Sequence, residues 1–138
     1  MGWLFYASLS AVASALTAIL AKLGVEQVPT TLAVVFRTFV VLLLTGALTI
    51  GLGEHRALPT ISRRSLLFLT LSGVMTGVAW LAYFRALQLG RASRVAPIDK
   101  LSLPLAIVLA AVVLHESISW RLAAGVALMT IGALLTIG

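Results

Sequence analysis

The sequence contains no cysteine and few charged residues. The absence of cysteine from all 138 residues excludes a disulfide framework, a thiolate metal site and a cysteine nucleophile. Charged residues make up 10% of the chain and hydrophobic residues 61%. An ordinary soluble domain is about a quarter charged and about half apolar. The composition therefore excludes a water-soluble domain and indicates a membrane protein.

Acidic residues are also scarce, with four Asp and Glu against ten Lys and Arg and a net charge of +6. The basic residues stand singly between apolar runs and form no stripe, so they indicate membrane topology and no nucleic-acid partner. His55 and His115 lie beside Glu54 and Glu116, but without the spacing of metal ligands. We therefore predict no metal site, no cofactor, no catalytic residues and no enzymatic activity.

A membrane-spanning helix needs roughly 20 mostly apolar residues to cross a hydrocarbon core about 30 Å thick. Five segments meet this requirement, and short connections separate them. We expect no removable signal, because Lys22 is the first basic residue. The predicted fold is an all-α membrane protein, a five-helix bundle formed by one domain over residues 1–138 with spans at about 3–23, 30–51, 65–89, 95–114 and 119–137.

The basic residues of the loops are balanced between the two membrane faces. Loops on the face that holds the N-terminus carry Arg56, Arg63, Arg64 and Arg121, and the other face carries Lys22, Arg85, Arg91 and Arg94. Orientation normally follows an excess of Lys and Arg on one side. The balance favours dual topology, with copies inserted both ways. The alternative is that the adjacent arginines of the longer loop still fix one orientation.

Four charged residues stand out within the predicted spans: Arg37, Arg85, Asp99 and Lys100. Such charges are costly in lipid and usually face a protein interior or water. Their sum of +2 favours a site for an anion or a zwitterion. The alternative is structural: Lys22 and Arg85 extend to the headgroups, and Asp99 pairs with a nearby base.

The fourth span contains Pro97 and Pro104, which flank Asp99, Lys100 and Ser102. Each proline removes a helical hydrogen bond, and interrupted helices at membrane depth line cavities in transporters. A plain kink is the competing explanation.

Aromatic residues of the third span suggest the walls of a site. Trp80 and Tyr83 lie about one helical turn apart, where they could contact an organic substrate. An interfacial aromatic belt is the alternative.

The stretches WLAYFRALQLG at 80–90 and ASRVAPIDKLS at 92–102, with the glycine-rich last span, resemble an EamA domain of the drug/metabolite transporter superfamily. Most members of that family have two inverted five-span repeats around a central site. The resemblance implies that this chain is a single repeat of the bacterial and archaeal branch, half of an inverted-repeat transporter. It also implies an antiparallel homodimer in the inner (cytoplasmic) membrane.

Two related groups imply roles for particular residues. The last helix of the small multidrug resistance proteins forms a dimer contact through a similar glycine stripe. This similarity implies an interface here at Gly125, Leu128, Met129 and Gly132. Those proteins exchange protons through a Glu in the first span, which this sequence lacks, so Asp99 is the candidate for proton or ion coupling. In sugar-phosphate translocators, basic residues on the fourth helix meet the substrate, and Lys100 is placed similarly.

The sequence thus predicts a secondary transporter that moves a small organic metabolite, anionic or zwitterionic, by alternating access. The predicted substrate-binding residues are Arg37, Trp80, Tyr83, Lys100 and Ser102, with helix breaks at Pro97 and Pro104. Membrane lipid is the other expected partner. Two alternatives stay open: a partner-dependent assembly subunit that does not transport, and a flippase of a lipid-linked molecule.

Overall fold

The computed structural model describes residues 2–136, and these residues form helices joined by short connections. A 3₁₀ segment at Glu54–Thr60 lies between the second and third helices. The α-helices are α1 (Gly2–Val25), α2 (Thr30–Gly51), α3 (Arg63–Leu89), α4 (Ala92–Asp99), α5 (Ser102–Val113) and α6 (Trp120–Leu135).

Four helical stretches are long and apolar enough to cross a membrane: α1, α2, α3 and the consecutive pair α4 and α5. The last helix is shorter than the 119–137 span expected from the sequence. Its 16 residues extend about 24 Å at the usual rise, less than a hydrocarbon core of about 30 Å. Its start is fixed by Ser119, whose side chain accepts a hydrogen bond from the Leu122 amide at 3.2 Å. Residues 137 and 138 of the expected span lie outside the described residues.

The helix over the expected fourth span is interrupted. α4 ends at Asp99 and α5 begins at Ser102, with Lys100 and Leu101 between them. Pro104 has no amide hydrogen to donate to the Lys100 carbonyl, which accepts instead from the Leu103 amide at 3.0 Å. This tighter contact produces a short 3₁₀-type turn at the point where the two helices meet.

A left-handed residue follows the C-terminus of α5. His115 has a φ of 55°, the only positive φ of a non-glycine residue among positions 2–136. The amide of the next residue, Glu116, turns back toward the Ala110 carbonyl at 3.4 Å. Backbone of this kind commonly ends a helix, and glycine is the usual residue there. The turn leads into α6 without a long loop.

The chain divides into two compact units. One comprises Met1–Ile19 and Leu89–Gly138, and the other comprises Leu20–Gln88. Within the first unit, α6 packs against α4 and α5. The buried apolar residues among positions 2–136 are few: Ala18 and Ala133 in the first unit, and Val25, Val34, Phe84 and Leu87 in the second.

Most large apolar side chains are exposed along the whole length of the helices. Trp3 is 74% exposed, Leu44 62% and Leu128 71%. Such surfaces are unfavourable in water but match a hydrocarbon environment, where apolar side chains face lipid. The exposure pattern and the long apolar helices together indicate a multi-pass membrane protein.

Candidate functional site

Arg37 lies over an aromatic surface of α3. It is in the second turn of α2, and its guanidinium carbon is 4.2 Å from the Trp80 ring centroid and 5.5 Å from the Phe84 ring centroid. Both distances fall within the range of cation–π attraction. The two aromatic residues are four positions apart and so lie on one face of α3. The helix pair therefore holds a positive charge against these rings. Trp80, Phe84 and the neighbouring Tyr83 are called the aromatic platform below.

The aromatic platform is itself well packed. The Phe84 side chain is only 3% exposed. Its ring contacts the ring of Tyr83 at a centroid distance of 6.4 Å and an angle of 50°. Tyr83 and Trp80 are partly exposed. One side of the platform is thus fixed by packing, while Trp80 and Tyr83 remain accessible.

No carboxylate neutralises Arg37 within residues 2–136, where the ion pair present joins Asp99 to Lys100. An arginine that stacks by its planar face keeps its N–H groups at the edge of the plane. Those groups bind carboxylate and phosphate oxygens in pairs. The guanidinium of Arg37 over Trp80 is therefore a candidate for binding an oxoanion.

A second polar cluster lies at the C-terminal end of α3, around the side-chain amide of Gln88. Its Nε2 donates to the carbonyls of Val25 at 3.0 Å and Val28 at 2.8 Å. Its Oε1 accepts from the Thr30 hydroxyl at 2.6 Å and from Arg85 Nη1 at 3.1 Å. Both donor hydrogens and both acceptor positions of the amide are therefore used.

Lys22 lies beside this cluster, near the C-terminus of α1. Its Nζ donates to the Leu87 carbonyl at 2.7 Å, and the Leu87 side chain is fully buried. A cation at the last carbonyls of a helix is favourable because the helix dipole is negative there. The alternative reading of the sequence placed Lys22 at the lipid headgroups. In the structure its Nζ joins the ends of α1 and α3.

The interruption between α4 and α5 carries the other charged candidates. Lys100 Nζ lies 3.4 Å from Asp99 Oδ2, and the two side chains are 53% and 42% exposed. Ser102 is exposed and is the first residue of α5. Pro97 lies inside α4, where it cannot donate to the Ser93 carbonyl. Two prolines therefore flank a weakly paired acid and base at a break in the helix.

The glycine stripe of α6 is open. Gly125 and Gly132 are exposed, and a Cβ added at either position would meet no atom within 4 Å. Leu128 is 71% exposed and Met129 48% exposed. The less exposed positions of the same helix are Val126, Thr130 and Ala133. One face of α6 thus packs within its unit, while the stripe is exposed among residues 2–136.

The structure brings some of the expected site residues together. Arg37 and Trp80 are in contact, and Tyr83 belongs to the same platform. Asp99 and Lys100 form a separate group in the other unit. Whether any of these residues binds substrate or couples an ion stays a prediction.

Sequence reasoning missed Gln88 and did not include Phe84 among the predicted site residues. The signal was present in the spacing, because Trp80, Phe84 and Gln88 recur every four residues and so share one face of α3. A glutamine in an apolar helix also predicts a polar partner, since an unpaired amide in hydrocarbon is costly. What the sequence could not indicate was the partner, because Gln88 contacts residues 58 and more positions away.

Comparison with known proteins gives the family. The model of the EamA-like transporter family matches residues 1–138. A protein of Sinorhizobium sp, named uncharacterized transporter in cobO 3'region, is 45% identical over 133 residues, which are 96% of this chain and 94% of that protein. The chain belongs to the EamA-like transporter family. No solved structure matches it.

Membership of the EamA-like transporter family confirms the resemblance found in the sequence. It makes the chain a membrane transporter, and members of this family are generally not enzymes. The substrate-binding residues, the homodimer and the inverted pairing of two repeats go beyond what the family match shows.

Proposed function

We propose that the protein is a secondary transporter of a small anionic or zwitterionic metabolite, working by alternating access as an antiparallel homodimer in the inner membrane of a bacterium or archaeon. The observation that carries this proposal is Arg37 stacked on Trp80 without a carboxylate partner among residues 2–136. A charge within an apolar helix is costly and usually marks a substrate or ion pathway. In this proposal Arg37 binds the anionic group, and Trp80 and Tyr83 form the wall.

Lys100, Ser102 and Asp99 form a second, separate group of proposed substrate-binding and coupling residues. The Asp99–Lys100 contact is weak at 3.4 Å, and both side chains are exposed. Lys100 is therefore available to a substrate oxoanion, with Ser102 as a further hydrogen-bond partner. Asp99 is proposed as the coupling group, because loss or gain of its proton changes the attraction that holds Lys100. The interruption flanked by Pro97 and Pro104 supplies the flexibility that alternating access requires.

The proposed dimer rests on two features of the chain. The loop bases are balanced, four on each face, so insertion in both orientations is expected. The stripe formed by Gly125, Leu128, Met129 and Gly132 is open, and small residues permit close contact between helices. We infer that two inverted copies meet along this stripe and enclose one transport site.

Transport is tested with purified protein in proteoliposomes and a panel of radiolabelled amino acids, dicarboxylates and sugar phosphates. We expect uptake of one anionic or zwitterionic class by the unaltered protein and strong loss in Arg37→Gln and Lys100→Ala. Arg64→Gln is the matched control, because Arg64 also lies near an aromatic ring, that of Phe68 at 5.8 Å, but at the start of α3. Normal uptake by both site variants would overturn the site assignment.

Orientation is tested by labelling single cysteines from each side of the membrane, because the chain has no native cysteine. Ser62 and Ser93 are both exposed, and they fall on the two opposite faces expected from the sequence. In the antiparallel homodimer each position labels from both sides in comparable amounts. Labelling of each position from one side alone would exclude the antiparallel homodimer.

A further inference from the structure

Two contacts connect the N-terminal part of α2 to the C-terminal part of α3. Near the start of α2, the Thr30 hydroxyl binds the Gln88 amide. Seven residues further along, Arg37 lies over Trp80, which precedes Gln88 by eight residues. The spacing is about 10 Å along α2 and about 12 Å along α3 at the usual helical rise. The helices run in opposite directions here. Each of the two contacts limits sliding of α2 along α3.

Gln88 also holds the connection that leads into α2. Its Nε2 binds carbonyls on both sides of that connection, at Val25 where α1 ends and at Val28 before Pro29. Val25 is 1% exposed, so this end of the unit is packed as well as hydrogen-bonded. One side chain therefore fixes both the entry of the chain into α2 and the first residue of that helix, Thr30.

We propose that Gln88 is a positioning residue that sets the register of α2 on α3 and thereby holds the Arg37 guanidinium over Trp80. Its importance for transport rests on the proposed role of Arg37. The proposed effect of Gln88 on the register does not depend on transport, because it concerns only the contacts between α2 and α3. Gln88 itself has no spare hydrogen-bonding capacity and is not assigned a contact with substrate.

The chemistry of the amide makes glutamine specific at this position. Methionine has a similar length but no strong donor, and glutamate has acceptors but no donor when ionised. Gln88→Met therefore removes every hydrogen bond of the cluster while conserving much of the volume. Thr30→Val is a milder change that removes only the link to α2.

The test uses Trp80 as a spectroscopic reporter. Trp3 and Trp120, which are 74% and 77% exposed, are changed to Phe so that Trp80 is the one remaining tryptophan. Arg37→Met in this background defines the emission maximum and lifetime of an unstacked Trp80. We expect Gln88→Met to shift both quantities most of the way to those values, and Thr30→Val to shift them in the same direction by less.

The matched control is Thr45→Val, because the Thr45 hydroxyl donates within α2 to Val41 and Leu42. This control is expected to leave the Trp80 spectrum unchanged. Thr30→Val added to Gln88→Met should have no further effect, since both act through one hydrogen bond. If Gln88→Met and Thr30→Val both leave Trp80 as in the parent, the register proposal is wrong.

Transport measurements on the same proteins separate the two proposals. If Gln88→Met shifts Trp80 and also lowers uptake, both the register and the role of Arg37 are supported. A spectral shift in Gln88→Met, with normal uptake in both Gln88→Met and Arg37→Met, would support the register and overturn the proposed function of Arg37.

Discussion

Replacement of Arg37 by methionine should weaken ligand binding without weakening the fold. Methionine has a similar length but lacks the charge and the N–H groups. A hydrogen bond to a charged group contributes about 1.5 to 3 kcal/mol. Loss of one such bond corresponds to a Kd about 10- to 150-fold higher. The loss of affinity should be larger for a substrate that Arg37 binds through two parallel hydrogen bonds.

Two opposing contributions determine the stability of Arg37→Met: the lost stacking on Trp80 and the removed cost of a charge in the membrane. The stacking of Arg37 on Trp80 at 4.2 Å stabilises the helix pair by up to about 2 kcal/mol if the contact is desolvated. An arginine at the centre of a membrane helix costs about 2.5 to 3.5 kcal/mol on insertion scales. Removal of the charge thus relieves at least as much as the lost stacking contributes. We expect the thermal stability of Arg37→Met to equal or exceed that of the parent.

The assay combines equilibrium binding of the transported anionic compound with thermal unfolding, both in lipid nanodiscs. Arg64→Met serves as the control for the general loss of an arginine beside an aromatic ring, and its Kd should not change. Unchanged affinity with a clear loss of thermal stability would assign Arg37 to helix packing and refute its role in binding.

Three further predictions concern the other unit. His115→Gly should stabilise the protein by about 1 kcal/mol, because φ is 55° there and glycine avoids the steric cost, whereas His115→Ala should give no such gain in thermal unfolding. Ser119→Ala should destabilise it by about 1 kcal/mol through loss of the cap of α6, and an equal stability would contradict that cap. Leucine at Gly125 and Gly132 should leave the isolated chain folded, since both positions are open, but abolish dimer cross-linking; persistence of the cross-linked dimer would exclude the stripe as the interface.

Local signals were sufficient to place most helices. α2 spans Thr30–Gly51, the same residues as the second expected span, because Pro29 precedes it and the left-handed Gly53 follows it closely. The third helix begins two residues earlier than expected, at Arg63. The positions of these helix ends can be predicted from the local sequence, because apolar composition marks the helices and proline and glycine mark their ends.

Contacts between residues that are distant in the sequence could not be predicted from such local signals. The contact of Arg37 with Trp80 joins residues 43 positions apart, and periodicity shows only that each could face another helix. The sequence predicted helix breaks at Pro97 and Pro104, whereas the helix is interrupted between them, at Lys100 and Leu101. The described helix α6, Trp120–Leu135, lies within the expected span of about 119–137, whose last residue is outside the described part of the chain.

The division between α4 and α5 has a mechanical consequence. α4 has eight residues and α5 has twelve, so each alone extends about 12 or 18 Å, too little to cross the hydrocarbon core. The two segments must therefore cross the membrane together. Pro97 and Pro104 lack amide hydrogens. Two of the backbone hydrogen bonds that stiffen a continuous helix therefore cannot form. The bond missing at Pro104 would have reached the Lys100 carbonyl, so bending at this junction has one fewer i to i−4 hydrogen bond to break than bending of a continuous helix.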